Sequence, residues 1–109
     1  MCYHLNILVQ PDEPKLEVIV SGKHKEVLKP DDWVLVTCQA RGGHPIPEVG
    51  ITMDGIPAGS KDFRNFKNSF TFKASEKDDG KIILCTAVNK AGASAASIIL
   101  KVHSKPDIN

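Results

Sequence analysis

The sequence predicts an all-β antiparallel sandwich, and three observations carry that prediction. Short runs rich in β-branched and aromatic residues recur, with turn-forming clusters about every ten residues. No stretch carries the apolar periodicity of an amphipathic helix. Two of the runs, residues 33–40 and 81–89, each hold a cysteine near the middle and in phase with the apolar side chains. Val34, Val36, Cys38 and Ala40 share one face of the first run, and Ile83, Cys85 and Ala87 share one face of the second. Roughly 47 residues lie between Cys38 and Cys85, room for two or three strands that close a sandwich around them. A bond between the two would contribute on the order of 4 kcal/mol by the loop-entropy model, a large share of the stability of so small a domain.

Taken in order, residues 4–10 alternate weakly and end at Pro11-Asp12-Glu13-Pro14, a proline-bracketed acidic step. Residues 16–21 are a first strand, Gly22-Lys23-His24 breaks it, and residues 25–28 resume it. Pro30-Asp31-Asp32 is a turn before the first cysteine strand. Gly42-Gly43-His44-Pro45-Ile46-Pro47 forbids helix and makes a stiff loop. Val49, Ile51 and Met53 then alternate with Gly50, Thr52 and Asp54, and Asp54-Gly55 is a hairpin signal. After a less regular stretch, Phe70 and Phe72 alternate with Ser69, Thr71 and Lys73 as another strand. Residues 76–80 read as a solvated corner, Asn89-Lys90-Ala91-Gly92 as a turn, and residues 93–102 as the last strand.

A chain of 109 residues is one domain with room for a single core. Apolar residues make up 41% and charged residues 25%, a balance that excludes intrinsic disorder. A net charge of +1 gives no nucleic-acid footprint. No apolar run reaches membrane-spanning length and no signal peptide precedes the first strand, so a membrane enters only through a parent chain. Of the three cysteines, Cys2 is expected to be unpaired.

These residues resemble an immunoglobulin domain of the C2 or I type, with about seven strands. Gly43-x-Pro45-x-Pro47-x-Val49 followed by Asp54-Gly55 is similar to the stretch between strands B and C′ of cell-adhesion members. Asp79-Gly80 ahead of Cys85, then Cys85-x-Ala87-x-Asn89-x-x-Gly92, resembles strand F and its turn into strand G. The closest likeness is to the second domain of nephrin-, nectin- or CD80-like cell-surface receptors. It implies the following organisation: residues 1–10 as the tail of a preceding domain, 11–15 as a linker, 16–103 as the domain, and 104–109 as an exit linker. Two positions depart from the pattern. The family's strand C tryptophan is Ile51 here, and its tyrosine two residues before the second cysteine is Ile83, so the core is expected to lean on Val34, Val36, Ile51, Phe70, Phe72, Ile83 and Leu100.

No chemistry-bearing motif accompanies this scaffold. The sequence lacks a Gly-x-Ser-x-Gly elbow, a His-Glu-x-x-His pair, a phosphate-binding glycine loop and a Cys-x-x-Cys pair. Neither a catalytic residue nor a cofactor nor a metal is expected. Asp31-Asp32 and Asp78-Asp79 are read as solvated turn acids rather than calcium ligands, because the regularly spaced carboxylate loop is missing. No Asn-x-Ser/Thr sequon occurs.

Strand phase nominates a surface instead. With Cys85 inward, Ile82, Leu84, Thr86 and Val88 point out of the C–F–G sheet, joined by Ile99 and by the small residues Gly50 and Thr52. Ile82, Leu84, Val88, Ile99 and Thr52 are therefore the candidate interface, a sheet the resemblance marks as a frequent contact surface. On the opposite sheet Trp33 and Leu35 point outward, with Trp33 expected to cover the sheet edge against the first strand. Residues 61–67 mix cations with Phe63 and Phe66, and are read as an edge connection with one ring tucked under. The resemblance implies a non-enzymatic extracellular module of an adhesion or immune-type receptor. Its expected partners are a receptor ligand, a second copy of the chain, or a neighbouring domain of the same type. The alternative is a structural spacer, including an intracellular muscle-type domain whose cysteines stay reduced.

Overall fold

A computed structural model describes residues 7–61 and 67–103. Nine strands occur in these segments: β1 (Asp12–Val20), β2 (Lys23–His24), β3 (Trp33–Arg41), β4 (Glu48–Met53), β5 (Ile56–Ala58), β6 (Ser60–Lys61), β7 (Lys67–Lys73), β8 (Ile82–Asn89) and β9 (Gly92–Ile99). They form two antiparallel sheets, one ordered β2-β1-β3-β7-β6 and the other β5-β4-β8-β9. Neither sheet has a covering helix, so each buries its apolar face only against the other.

Alternation dictates which side chains meet. From the first sheet Val18, Val20, Val34, Val36 and Cys38 face inward, and from the second Val49, Ile51, Ile83, Cys85 and Ala87 do; all are buried. Cys38 and Cys85 are bonded across the sandwich, with Cα atoms 6.5 Å apart. Ile51 pairs with Cys85 in the ladder and is buried, so an aliphatic side chain stands beside the bridge. Asn68 is inward and buried beside the bridge, opposite Cys38, and its Nδ2 donates to the Val49 carbonyl at 3.0 Å, tying the two sheets together. Ile83 and Leu100 are buried as expected, whereas Phe70 and Phe72 are half-buried. Their rings stack with centroids 5.8 Å apart, packed against the core rather than forming its centre.

The hairpin at Asp54-Gly55 is present, with both residues at positive φ (53° and 84°), as the right-handed strand twist requires of a two-residue turn. Four local readings are corrected. The first strand begins at Asp12, which pairs with Arg41, and the ladder shifts register around Pro14, a residue with no N–H to give. Lys23–His24 is a strand and residues 25–27 are not: the chain rejoins a ladder only at Leu28, bridged to Val102 in parallel. Leu28 is buried, so strand phase through residues 24–28 would drive Glu26 and His24 between the sheets.

Trp33 does not cover an edge against β1. The β1 ladder stops at Val34, so the indole sits beside Lys73 of β7 and is 67% exposed. Nor is the corner before β8 fully solvated. A single 3-10 turn (Glu76–Asp78) closes there, and Asp78 is buried because its carboxylate accepts from the Ser75 N–H at 3.0 Å and pairs with Lys81 Nζ at 3.0 Å. The Asp79 Oδ1 accepts from the Val102 N–H at 2.8 Å, which holds the last stretch of chain against this turn. Cys2, Phe63 and Phe66, and the stretch 104–109, lie outside the described residues.

Candidate protein-contact surface

The ladder register fixes the outer face of the four-stranded sheet row by row. Ala93, Val88 and Glu48 form one row; Ala95, Thr86 and Gly50 the next; Ser97, Leu84, Thr52 and Pro57 the third; Ile99 and Ile82 the fourth, with Asp54 level with them through its N–H to the Ile82 carbonyl at 2.7 Å. Every position between Glu48 and Asp54 is uncharged. The side chains are small or apolar, and the large ones stand open to solvent: Ile99 is 60% exposed, Val88 49%, Ile82 46% and Leu84 37%. Thr52 is half-buried at the centre of the same face.

The other sheet is the internal control. Its outward positions include Lys15, Glu17, Arg41, Lys67 and Lys73; Glu17 pairs with Lys15 at 3.8 Å and lies 2.6 Å from His24 Nε2. Charge thus recurs along one broad face, beside the uncharged Ile19, Leu35 and Thr71, and reaches the other only at its ends, through Glu48 and Asp54, in a chain where a quarter of the residues are charged. Single exposed aliphatics mean little, but a contiguous apolar face is a mark of an interaction site.

Two further exposed aliphatic residues escaped strand-phase reasoning. Ile46 is 69% exposed in the loop before β4, and it shares a shallow depression with Val88 and Lys90. Its two flanking prolines are the signal, because they keep it out of any ladder. Ile56 of β5 is 70% exposed although it pairs with inward-phased Met53, because β5 overhangs the edge of the sandwich.

Asn89 organises the pole next to Val88. Its Oδ1 accepts from the N–H groups of Ala91 (2.8 Å) and Gly92 (3.1 Å), which shapes the turn between β8 and β9. Its Nδ2 donates to the carbonyls of Val9 (2.7 Å) and Pro45 (3.0 Å). Val9 and His44 exchange two backbone bonds of 2.9 Å, Gln10 Nε2 donates to the Ala93 carbonyl, and the Ser94 hydroxyl donates to the Pro11 carbonyl. Residues 9–11, just ahead of β1, are therefore bound to this pole.

Other surfaces offer less. An open groove of about 690 Å³ runs between β1 and β9, floored by Leu16, Leu28 and Ile98 and rimmed by Glu17, Glu26 and Lys101. Among the described residues no three His, Cys, Asp or Glu side chains converge as metal ligands, and no helix is long and apolar enough to cross a membrane.

Two facing antiparallel sheets, β1-β3-β7-β6 with β2 at its edge and β5-β4-β8-β9, bridged by a disulfide between β3 and β8, define an immunoglobulin-like domain. No protein-family model matches the chain. Neural cell adhesion molecule 1 of Rattus norvegicus is 38% identical over 82 residues, covering 69% of this chain and 9% of that protein. The same molecule of Gallus gallus is 39% identical over 82 residues, covering 69% and 7%. The chain thus spans less than a tenth of the curated relatives it matches. Among solved structures, the mouse nectin-like molecule 4 ectodomain superposes with a TM-score of 0.67 at 22% identity, over 89% of this chain and 35% of that one. At those identities the solved structures speak for the fold alone. The domain thus has an immunoglobulin-like fold, and over about two thirds of its length it is similar to part of the neural cell adhesion molecules.

Proposed function

We propose that this domain is an adhesion module of an extracellular chain, and that the outer face of β5-β4-β8-β9 meets a protein partner. The observation that carries the reading is the uncharged centre of this face, with Ile82, Leu84, Val88 and Ile99 exposed and charge confined to its ends at Glu48 and Asp54. Burying such a centre inside a rim that holds Glu48, Asp54, Lys90 and Lys101 follows the anatomy of protein interfaces. The disulfide fits an oxidising compartment. The pinned segment before β1 suits the tail of a preceding domain, which would then abut the Asn89 pole.

Cells that display the domain on a heterologous anchor test the proposal by attachment to neighbouring cells. Leu84→Glu is expected to abolish attachment while leaving the fold intact, and Thr71→Glu on the charged sheet is expected to leave it unchanged. Equal attachment by all three proteins, or none by the unaltered domain, rejects the reading.

A further inference from the structure

We infer that the outer edge of β9 receives an extended peptide segment, uncharged and apolar at alternate residues. The segment adds to the four-stranded sheet as a fifth strand, antiparallel to β9. Each sheet has two marginal strands, and three of the four are guarded against such pairing. β2 (Lys23–His24) and β6 (Ser60–Lys61) are two residues long and each holds a lysine, and β5 (Ile56–Ala58) is three residues long with Pro57 at its centre. β9 has none of these devices. It runs for eight residues, pairs with β8 residue for residue without a bulge, and contains neither a charge nor a proline.

Strand phase says which backbone groups stay open. The Leu100 N–H donates to the Lys81 carbonyl and the Leu100 carbonyl accepts from the Gly80 N–H, both at 2.8 Å. The Lys101 carbonyl points the other way and accepts from the Leu28 N–H at 2.8 Å. Alternation turns the N–H and C=O groups of Ala95, Ser97 and Ile99 to the same side as Lys101. Among the described residues nothing bonds them there. Gln10 Nε2 closes one end of the lane on the Ala93 carbonyl at 2.9 Å, and Leu28 closes the other. Residues 95–99 remain, about 17 Å of open edge.

The groove beside this edge supplies the rest of the site. It is floored by Leu16, Leu28 and Ile98, and its rim sets Glu17 and Glu26 against Lys25 and Lys101. Formal charges that cancel favour a segment without net charge. In an antiparallel pair the residues bonded to Ala95, Ser97 and Ile99 share their outward face, so those between them point to the apolar floor. Strand order places β2 outboard of β1, which packs across from β9, so β2 and residues 25–26 roof the lane. A single strand fits beneath that roof, whereas a second copy would drive its own two layers into it. The wall on offer, about 17 Å by the roughly 10 Å between packed sheets, is about 170 Å². Contact on that scale is weak, with a Kd on the order of 100 µM or weaker.

The probe is the peptide acetyl-Thr-Val-Thr-Val-Thr-Val-Lys-amide, titrated into the oxidised domain and followed by the domain's amide resonances. Saturable shifts are expected at Ala95, Ser97 and Ile99. Exchange of those amides with water should slow about tenfold at about 1 mM peptide, the factor for a ligand in tenfold excess over its Kd. Methylating the threonine nitrogens removes the donors that face β9 and should abolish the shifts. Methylating the valine nitrogens, on the far edge of the added strand, should leave them. Ser97→Pro deletes the central donor and no bond of the sheet, and should weaken binding by roughly tenfold or more with circular dichroism unchanged.

Binding by both methylated peptides would remove main-chain pairing and overturn the proposal, and loss only with methylated valine would overturn the antiparallel direction. Unmoved amides at every peptide concentration would overturn the site. Shifts at residues 95–99 that grow with protein concentration alone would give the lane to a second copy instead of a peptide. Leu84→Glu, on the outer face, should leave peptide binding intact, so this edge and that face stand or fall separately.

Discussion

Asn89→Ala removes one side chain that bonds in both directions, and its cost follows from the geometry. Four hydrogen bonds of 2.7–3.1 Å are lost, two that shape the β8–β9 turn and two that hold Val9 and Pro45. At about 1 kcal/mol net for each, the ceiling is roughly 4 kcal/mol. Asn89 is only half-buried, so water recovers part of that, and a loss of about 2–3 kcal/mol is expected, or a fall in Tm of roughly 10–20 °C for a domain of this size. Thermal unfolding of the oxidised protein measures the total. Amide exchange at Val9 and His44, which trade backbone bonds beside the Asn89 side chain, measures where it arises. Asn89→Asp separates the two halves. A carboxylate still accepts from Ala91 and Gly92 but offers nothing to the carbonyls of Val9 and Pro45, so exchange should quicken at Val9 while the turn amides stay protected. A loss below about 0.5 kcal/mol for Asn89→Ala, or unchanged exchange at Val9, would show that the pole is not held as described.

Reducing the Cys38–Cys85 bond, with a separation of 47 residues, should lower stability by about 4 kcal/mol; denaturant unfolding with and without reductant gives the difference, and a gap under about 1 kcal/mol would contradict it. Asn68→Ala should cost about 2–4 kcal/mol, because it leaves the Val49 carbonyl without its donor and opens space between the sheets; calorimetry of the variant is the measurement. Trp33 is the sole tryptophan and stands open to water. Its emission should lie close to that of free indole and be quenched fully by a polar quencher, and Trp33→Ala should change stability by no more than about 0.5 kcal/mol.

The sandwich was legible because period-two alternation and turn residues act locally. Val34, Val36 and Cys38, or Ile83, Cys85 and Ala87, need only their own strand to declare which face is buried, and the outward set Ile82, Leu84, Val88 and Ile99 follows as the complement. Asp54-Gly55 declared its hairpin because the required positive φ suits those two residues. What the chain alone left hidden depends on which groups the folded backbone brings alongside. Whether Trp33 is covered depends on where the β1 ladder stops, and whether Asp78 is solvated depends on Lys81 and the Ser75 amide closing over it. Phase decides which way a side chain points, and strand order alone decides what stands beside it.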